Sequence, residues 1–179
     1  MKESAVAARE SFYVIVGSSG GALIGLQFVV ITLIAERRPH AGAGTLSAFG
    51  TPTVVHFAGA LLLSAIMSAP WPTLAPLSIA IGMCGLCGLT YGALVIRKAR
   101  RQTGYKPVWQ DWIWYAVLPC VSYAVLTVTA PFLRMHEQIV LSVIALIALG
   151  LLLIGIHNAW DSVTHLVVSD SEDETTNAS

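Results

Sequence analysis

Charged side chains are scarce in this chain. Only 11% of its 179 residues are Asp, Glu, Lys or Arg and 55% are hydrophobic, whereas soluble domains carry about 25% charged residues. Segments 11–35 and 41–96 contain none of the four charged residue types. The deficit excludes an ordinary soluble domain and predicts a membrane protein. The formal net charge of zero gives no indication of nucleic-acid binding.

The sequence also lacks the short motifs of the common enzyme classes. It contains no nucleophile elbow, phosphate-binding glycine loop, dinucleotide fingerprint or HExxH zinc motif. Its three cysteines, Cys84, Cys87 and Cys120, all lie in apolar runs, which favours thiols packed as small hydrophobic groups over a soft-metal site. We therefore expect no enzyme activity, no cofactor and no resident metal, and an intramembrane enzyme is the least favoured alternative.

Five apolar runs have the length and composition of membrane-spanning helices. Prolines between residues 69 and 76 divide a long uncharged segment in two, because they cannot continue a helix. The runs are placed at 11–35, 47–68, 74–96, 112–131 and 139–156, with a helical pattern that continues to residue 168. The sequence predicts an all-α polytopic membrane bundle of five transmembrane helices in one domain, 1–168, or of four if the last run does not cross. The acidic residues 169–179 are predicted to form a disordered tail.

Basic residues cluster at one end of the predicted bundle. Seven of the ten lie in the first and third loops, at Arg37, Arg38, Arg97, Lys98, Arg100, Arg101 and Lys106. The positive-inside rule then places the N-terminus outside and the C-terminus in the cytoplasm. The run Arg97, Lys98, Arg100 and Arg101 is predicted to contact anionic lipid headgroups, or alternatively to dock a cytosolic partner or the protein's own acidic tail.

Small residues recur on two of the predicted helices. Gly17, Gly21 and Gly25 stand at every fourth position of the first run, so they share one helix face. The third run has a similar series at Gly82, Gly85, Gly88 and Gly92. In lipid such a face lets a second helix approach to backbone contact. We expect the other helices to pack around the first one, and either series can serve internal packing or a homo-oligomer interface.

Two strongly polar residues fall deep within apolar runs. At the α-helical rise, Gln27 lies about 12 Å and His56 about 10 Å from the inner ends of their helices, so their depths are similar. An intramembrane polar group is costly and indicates a function or a specific contact. The pair is expected to form a hydrogen-bonded packing contact. The alternatives are that it is one step in a proton or cation path, or that the two side chains do not meet.

A second polar group follows the last apolar run. His157, Asp161 and His165 are spaced by four residues, so they line one helix face. The apolar stretch ends at residue 156, which places them at the inner membrane surface, where Trp160 is expected to anchor the interface. They are predicted to form a solvated amphipathic helix end. A divalent-metal or proton site and a contact for a partner protein are the alternatives.

Two segments carry a resemblance to a known group of proteins. The first is FYVIVGSSGGALIGLQFVVITLI at 12–34, and the second is NAWDSV at 158–163. Together they resemble small bacterial integral membrane proteins of unknown function that have a Gly-rich first helix. The resemblance implies a bacterial inner membrane location and brings no catalytic residues.

These patterns predict a small membrane protein that works by helix packing, with the lipid bilayer and either a second copy or another membrane protein as its partners. Zero net charge and the uncharged runs argue against nucleic acid as a partner. The alternative function is an oligomeric channel or carrier for protons or small cations. In that case Gln27, His56, His157, Asp161 and His165 are the candidate residues of the path.

Overall fold

The computed structural model describes the backbone of residues 2–37, 43–101 and 109–177, and the side chains of 9–33, 36, 52–97, 109 and 112–164. These parts of the chain form a bundle of five helices joined by short connections. The helices are α1 (Lys2–Arg37), α2 (Ala43–Ser68), α3 (Leu74–Arg101), α4 (109–134) and α5 (Glu137–Asn177). The prediction of an all-α bundle is confirmed.

Four of the helices are long and apolar enough to cross a membrane. Their apolar parts are Arg9–Leu33, Leu74–Arg97, Ile113–Arg134 and Glu137–Thr164. The described apolar part of α2, Pro52–Ser68, is shorter. The fold is therefore that of a multi-pass membrane protein. The sequence left open whether the last run crosses the membrane, and the helix it forms has the length and apolar composition needed to cross.

The connection between α2 and α3 is the tight hairpin that the prolines predict. α2 ends at Ser68 and α3 begins at Leu74. The indole Nε1–H of Trp71 donates to the carbonyl oxygen of Ile66 at 2.6 Å. This bond gives the Ile66 carbonyl a strong donor in addition to the longer bond from the Ala69 N–H at 3.4 Å, because the residue four positions on, Pro70, has no N–H.

α4 changes its helical type along its length. An α-helical turn, Trp109–Trp112, leads into a π-helical segment, Ile113–Val117, then into an α-helix, Leu118–Thr129, and a final 3-10 turn, Ala130–Arg134. Within the π segment the Leu118 N–H donates to the Ile113 carbonyl, five residues back. Pro119 explains the change, because it has no N–H and its ring would clash with the carbonyl four residues earlier.

The centre of the bundle is formed by α2 and α5. α2 lies between α1 and α5, while α3 packs chiefly on α4. On α5 the residues Ile144, Leu151 and Asn158, spaced by seven, are completely buried, which is the spacing of a helix that packs along one continuous seam. The expectation that the other helices surround α1 is wrong. α1 lies at the edge, and its Val14, Ile15 and Phe28 are more than half exposed.

α5 extends further than the sequence indicates. It is helical from Glu137 to Asn177, nine residues beyond residue 168, where the predicted helical pattern ends. An existing helix gains one hydrogen bond for each residue added and needs no new nucleus. Extension therefore costs less than the composition of the isolated segment suggests.

The glycines of α3 pack internally. A Cβ atom at Gly85 would lie 2.9 Å from the Tyr123 carbonyl oxygen, and one at Gly92 would lie 2.7 Å from the Cys120 sulfur. A Cβ atom at Gly88 would collide with the ring of Tyr123. The α3 series therefore allows α4 to approach to backbone contact, which is the internal-packing alternative.

We expect Gly88→Ala to destabilise the bundle by about 2 kcal/mol, because the added methyl group overlaps the Tyr123 ring in a packed interface. Gly150→Ala is the matched control, since a Cβ atom there meets nothing within 4 Å among the described residues. Unfolding by SDS titration in mixed micelles measures both variants. Equal stability of the two variants would show that α3 and α4 are not in close contact.

Candidate functional site

Helix register brings four buried polar residues to one level of the bundle. A Cβ atom at Gly17 would lie 3.0 Å from Ser64, and one at Gly20 would lie 3.1 Å from the Phe57 carbonyl oxygen, so α1 and α2 run in opposite directions. Gln27, two turns beyond Gly20 on α1, is therefore level with Thr53 on α2.

The same argument extends the level to α5. A Cβ atom at Gly155 would lie 2.5 Å from the Phe57 ring, which sets Asn158, one turn further along α5, near the level of Thr53. We call Gln27, Thr53, His56 and Asn158 the polar layer. Their side chains are 6%, 0%, 2% and 0% exposed, so the polar layer is closed off from the surroundings of the bundle.

His56 and Asn158 are buried without hydrogen-bond partners. Within the part of the chain that the structure describes, neither ring nitrogen of His56 and neither amide atom of Asn158 has a partner. The hydrogen bond expected between Gln27 and His56 is thus not formed. The ring of His56 instead lies beside that of Tyr123, with 6.4 Å between the ring centroids.

Unpaired polar atoms at this depth are energetically costly and can bind water or a ligand. A buried donor or acceptor without a partner costs about 1–3 kcal/mol, and lipid offers no water to reduce the cost. Buried polar groups in proteins are generally satisfied by protein atoms or by ordered water. A neutral imidazole can donate one hydrogen bond and accept another, and a carboxamide can bind water or an ion. The polar layer is therefore the candidate site.

A second set of contacts joins the π segment of α4 to α5. The hydroxyl of Tyr115 lies 3.2 Å from the Asn158 carbonyl oxygen and 3.2 Å from Asp161 Oδ2, and can donate to either. The hydroxyl of Ser162 also donates to the Asn158 carbonyl, at 2.7 Å. One residue before Tyr115, the indole of Trp114 stacks on the ring of His157, with centroids 3.8 Å apart.

These contacts explain the polar end of α5. His157 and Asp161 are exposed, and each lies against an aromatic side chain of α4, as in a solvated helix end that packs on its neighbour. The side chain of His165 lies outside the described residues, and so do those of Lys98, Arg100 and Arg101. Arg97 is exposed near the end of α3. The described part of the chain contains no group of three or more His, Cys, Asp or Glu side chains arranged to hold a metal.

The glycine series of α1 divides between two faces. Gly17 and Gly20 pack on α2, but Gly21 and Gly25 point away from the bundle, and a Cβ atom at either meets nothing within 4 Å among the residues described. Ser18 and Ala22 are exposed beside them. We call Ser18, Gly21, Ala22 and Gly25 the outward small face.

Comparison of the chain with known protein families, with curated proteins and with solved structures finds no match. The site must therefore be interpreted from its own residues. Sequence reasoning placed Gln27 and His56 at similar depth but did not join Asn158 to them. The sequence does contain a signal for Asn158: it follows Leu151 by seven residues and Ile144 by fourteen. This spacing places its amide on the same buried apolar seam.

We expect Asn158→Leu to raise the stability of the bundle by about 1–2 kcal/mol, because it replaces an unpaired buried amide with an apolar group of similar shape. Leu151→Asn, one heptad earlier on the same seam, is the matched control and should lower stability. SDS unfolding titrations compare the two. Loss of stability in Asn158→Leu would mean that the amide is paired after all, for example with water.

Proposed function

We propose that this protein is a non-enzymatic membrane protein that acts by lateral helix association, as a homo-oligomer or as an accessory subunit of another membrane protein. The outward small face of α1 is the surface that associates. The observation that carries the proposal is that Gly21 and Gly25 have open space around them, whereas the glycines of α3 at positions 85, 88 and 92 are enclosed by α4.

The physical argument rests on what glycine costs and allows. Glycine weakens a helix by about 1 kcal/mol relative to alanine, and an outward glycine gains no packing within its own chain. Association of helices in a membrane depends on van der Waals contact, and small residues allow the backbones to approach. Exposed Leu26 and Phe28 beside the outward small face offer large side chains that a second helix can pack against.

We expect Gly21→Leu to weaken self-association at least about tenfold, equal to about 1.4 kcal/mol, because the side chain fills the space that a second backbone would use. Gly150→Leu, at a glycine that also has open space but lies on α5, is the matched control and should have no effect. The measurement is the mass and dissociation of the protein in nanodiscs and in lipid bilayers. A wild-type monomer that is indifferent to Gly21→Leu contradicts self-association.

We further propose a bacterial inner membrane location with the N-terminus outside and the C-terminus in the cytoplasm. The exposed side chains of Arg97, Trp109 and Trp160 support this orientation, since all three lie at the same end of the bundle. Trp109 and Trp160 are 77% and 71% exposed, as expected for an aromatic belt at a membrane surface. Basic residues at that end favour the cytoplasmic side and contact with anionic headgroups.

A second candidate function is favoured by the side-chain atoms of His56 and Asn158 in the polar layer, which have no partner among the described residues. In this proposal protons or small cations cross through an oligomer by way of Gln27 and His56 and leave past Asp161. His56 supports it because both of its ring nitrogens are buried and free of protein partners within the described residues, so its N–H can donate to water and its other nitrogen can accept from water. Asp161 is exposed at the inner end, where a carboxylate attracts cations.

The permeation candidate predicts that His56→Ala combined with Asp161→Asn lowers flux in proteoliposomes at least about tenfold. His136→Ala is the matched control, because His136 is exposed at the opposite end of the bundle. Flux is followed with a pH-sensitive dye inside the vesicles. If flux survives the double substitution, these residues are not part of the path. The single substitution His56→Ala should leave assembly of the protein nearly unchanged.

A further inference from the structure

A cavity of about 440 Å³ opens at the end of the bundle opposite the polar layer. Its wall is formed where α1 begins to be apolar, where α2 turns into α3, and where α5 begins. Arg9 and Glu137 are the first residues of two apolar spans, so the cavity lies at the membrane–water boundary. We call it the terminal cavity. Its volume lies within the range of small-molecule sites, about 300–1,000 Å³.

The inner part of the terminal cavity is apolar and aromatic. Leu77 and Leu141 are buried in its wall, and Met67 lies beside them. The indole of Trp71 also contributes and is held in place by its hydrogen bond to the Ile66 carbonyl. These groups suit a ligand with an apolar body.

Tyr13 adds an unused polar group to the same wall. Its side chain is 2% exposed, and its hydroxyl is buried with no hydrogen-bond partner among the described residues. Its ring is fixed by an edge-to-face contact with Phe12, with centroids 5.1 Å apart. A buried hydroxyl without a protein partner can pair with a polar group of a ligand.

The charged groups of the terminal cavity favour a cation. Glu10 and Glu137 contribute two carboxylates and Arg9 one guanidinium, and all three side chains are exposed. Among the described residues that line the terminal cavity, the carboxylates therefore outnumber the basic group, and a nearby low-dielectric wall strengthens their field. Aromatic rings such as that of Trp71 attract cations as well.

We infer that the terminal cavity binds a small amphipathic primary amine in its ammonium form. The ammonium group donates hydrogen bonds to the carboxylates of Glu10 and Glu137, and a small shift of the wall on binding lets its third donor reach the buried hydroxyl of Tyr13. The apolar body of the ligand lies against Leu77 and Leu141. This site is separate from the outward small face and from the polar layer. The inference therefore does not depend on which of the two proposed functions is correct.

The test uses the full-length protein in nanodiscs of zwitterionic lipid and three probes of one shape: 2-phenylethylamine, 2-phenylethanol and phenylacetate. Ligand-observed saturation-transfer NMR gives the dissociation constants, with empty nanodiscs as the reference for partition into lipid. The amine should bind at least about tenfold more tightly than the alcohol. Its binding should weaken at high salt, because the carboxylates are exposed.

Removing a carboxylate and removing the guanidinium should change amine binding in opposite directions, which makes the test specific. Glu10→Gln and Glu137→Gln should each weaken amine binding about threefold to tenfold, while Arg9→Gln should strengthen it by a similar factor, because the guanidinium repels the ammonium. Glu36→Gln, at an exposed carboxylate near the other end of α1, is the matched control and should change nothing. Glu137 also lies in the first turn of α5, where an acid stabilises a helix, so Glu10→Gln guards against an effect on folding.

Two results would overturn the inference. Weaker binding in Arg9→Gln, together with binding of phenylacetate, would show that the terminal cavity takes an anion. Amine binding that is equal in all four variants and in empty nanodiscs would show only partition into the bilayer, with Glu10, Glu137 and Arg9 acting as solvated residues at helix ends.

Discussion

The side chain of Tyr123 on α4 packs against glycines of both α2 and α3 and so sets how closely these three helices approach. It lies on α4, against Gly88 of α3 on one side and Gly59 of α2 on the other, where a Cβ atom would be only 2.6 Å from its hydroxyl oxygen. Leu151 of α5 borders the same glycine. Water is not present in lipid to drive helices together, so the bundle depends on contacts of this kind between a large ring and the space left by glycine. Phe57 against Gly155 repeats the arrangement between α2 and α5.

The sequence predicts the bundle's elements well because their signals are local. Charge-free runs and the prolines at 70, 72 and 76 locate the α2–α3 hairpin, and the observed bounds Ser68 and Leu74 match the predicted ones. Pro119 likewise carries the signal for the π segment, although its effect depends on how α4 packs. The last helix continues beyond residue 168, to Asn177, because composition describes an isolated segment, whereas this one continues a formed helix.

The arrangement of the helices is not predictable from the same signals. In a membrane both the lipid-facing and the protein-facing sides of a helix are apolar, so hydropathy does not distinguish the central α2 and α5 from the peripheral α1. Gly21 and Gly88 illustrate the point. Both belong to series of small residues in apolar runs. Gly21 nevertheless faces away from the bundle, whereas Gly88 lies against the ring of Tyr123. Only the neighbouring helix decides which role a glycine has, and the same holds for the unpaired amide of Asn158.

The spans of α4 and α5 differ in length, and this has a consequence for the bilayer. Ile113–Arg134 has 22 residues and Glu137–Thr164 has 28, or about 33 Å and 42 Å at the α-helical rise. A hydrocarbon core of about 30 Å suits both, because only the apolar part of α5, 139–156 or about 27 Å, has to lie within it. The polar residues 157–164 therefore project into the headgroup region beyond the hydrocarbon. The contact between Tyr115 and Asp161 then lies at the edge of the hydrocarbon, where a change in membrane thickness first alters its hydration.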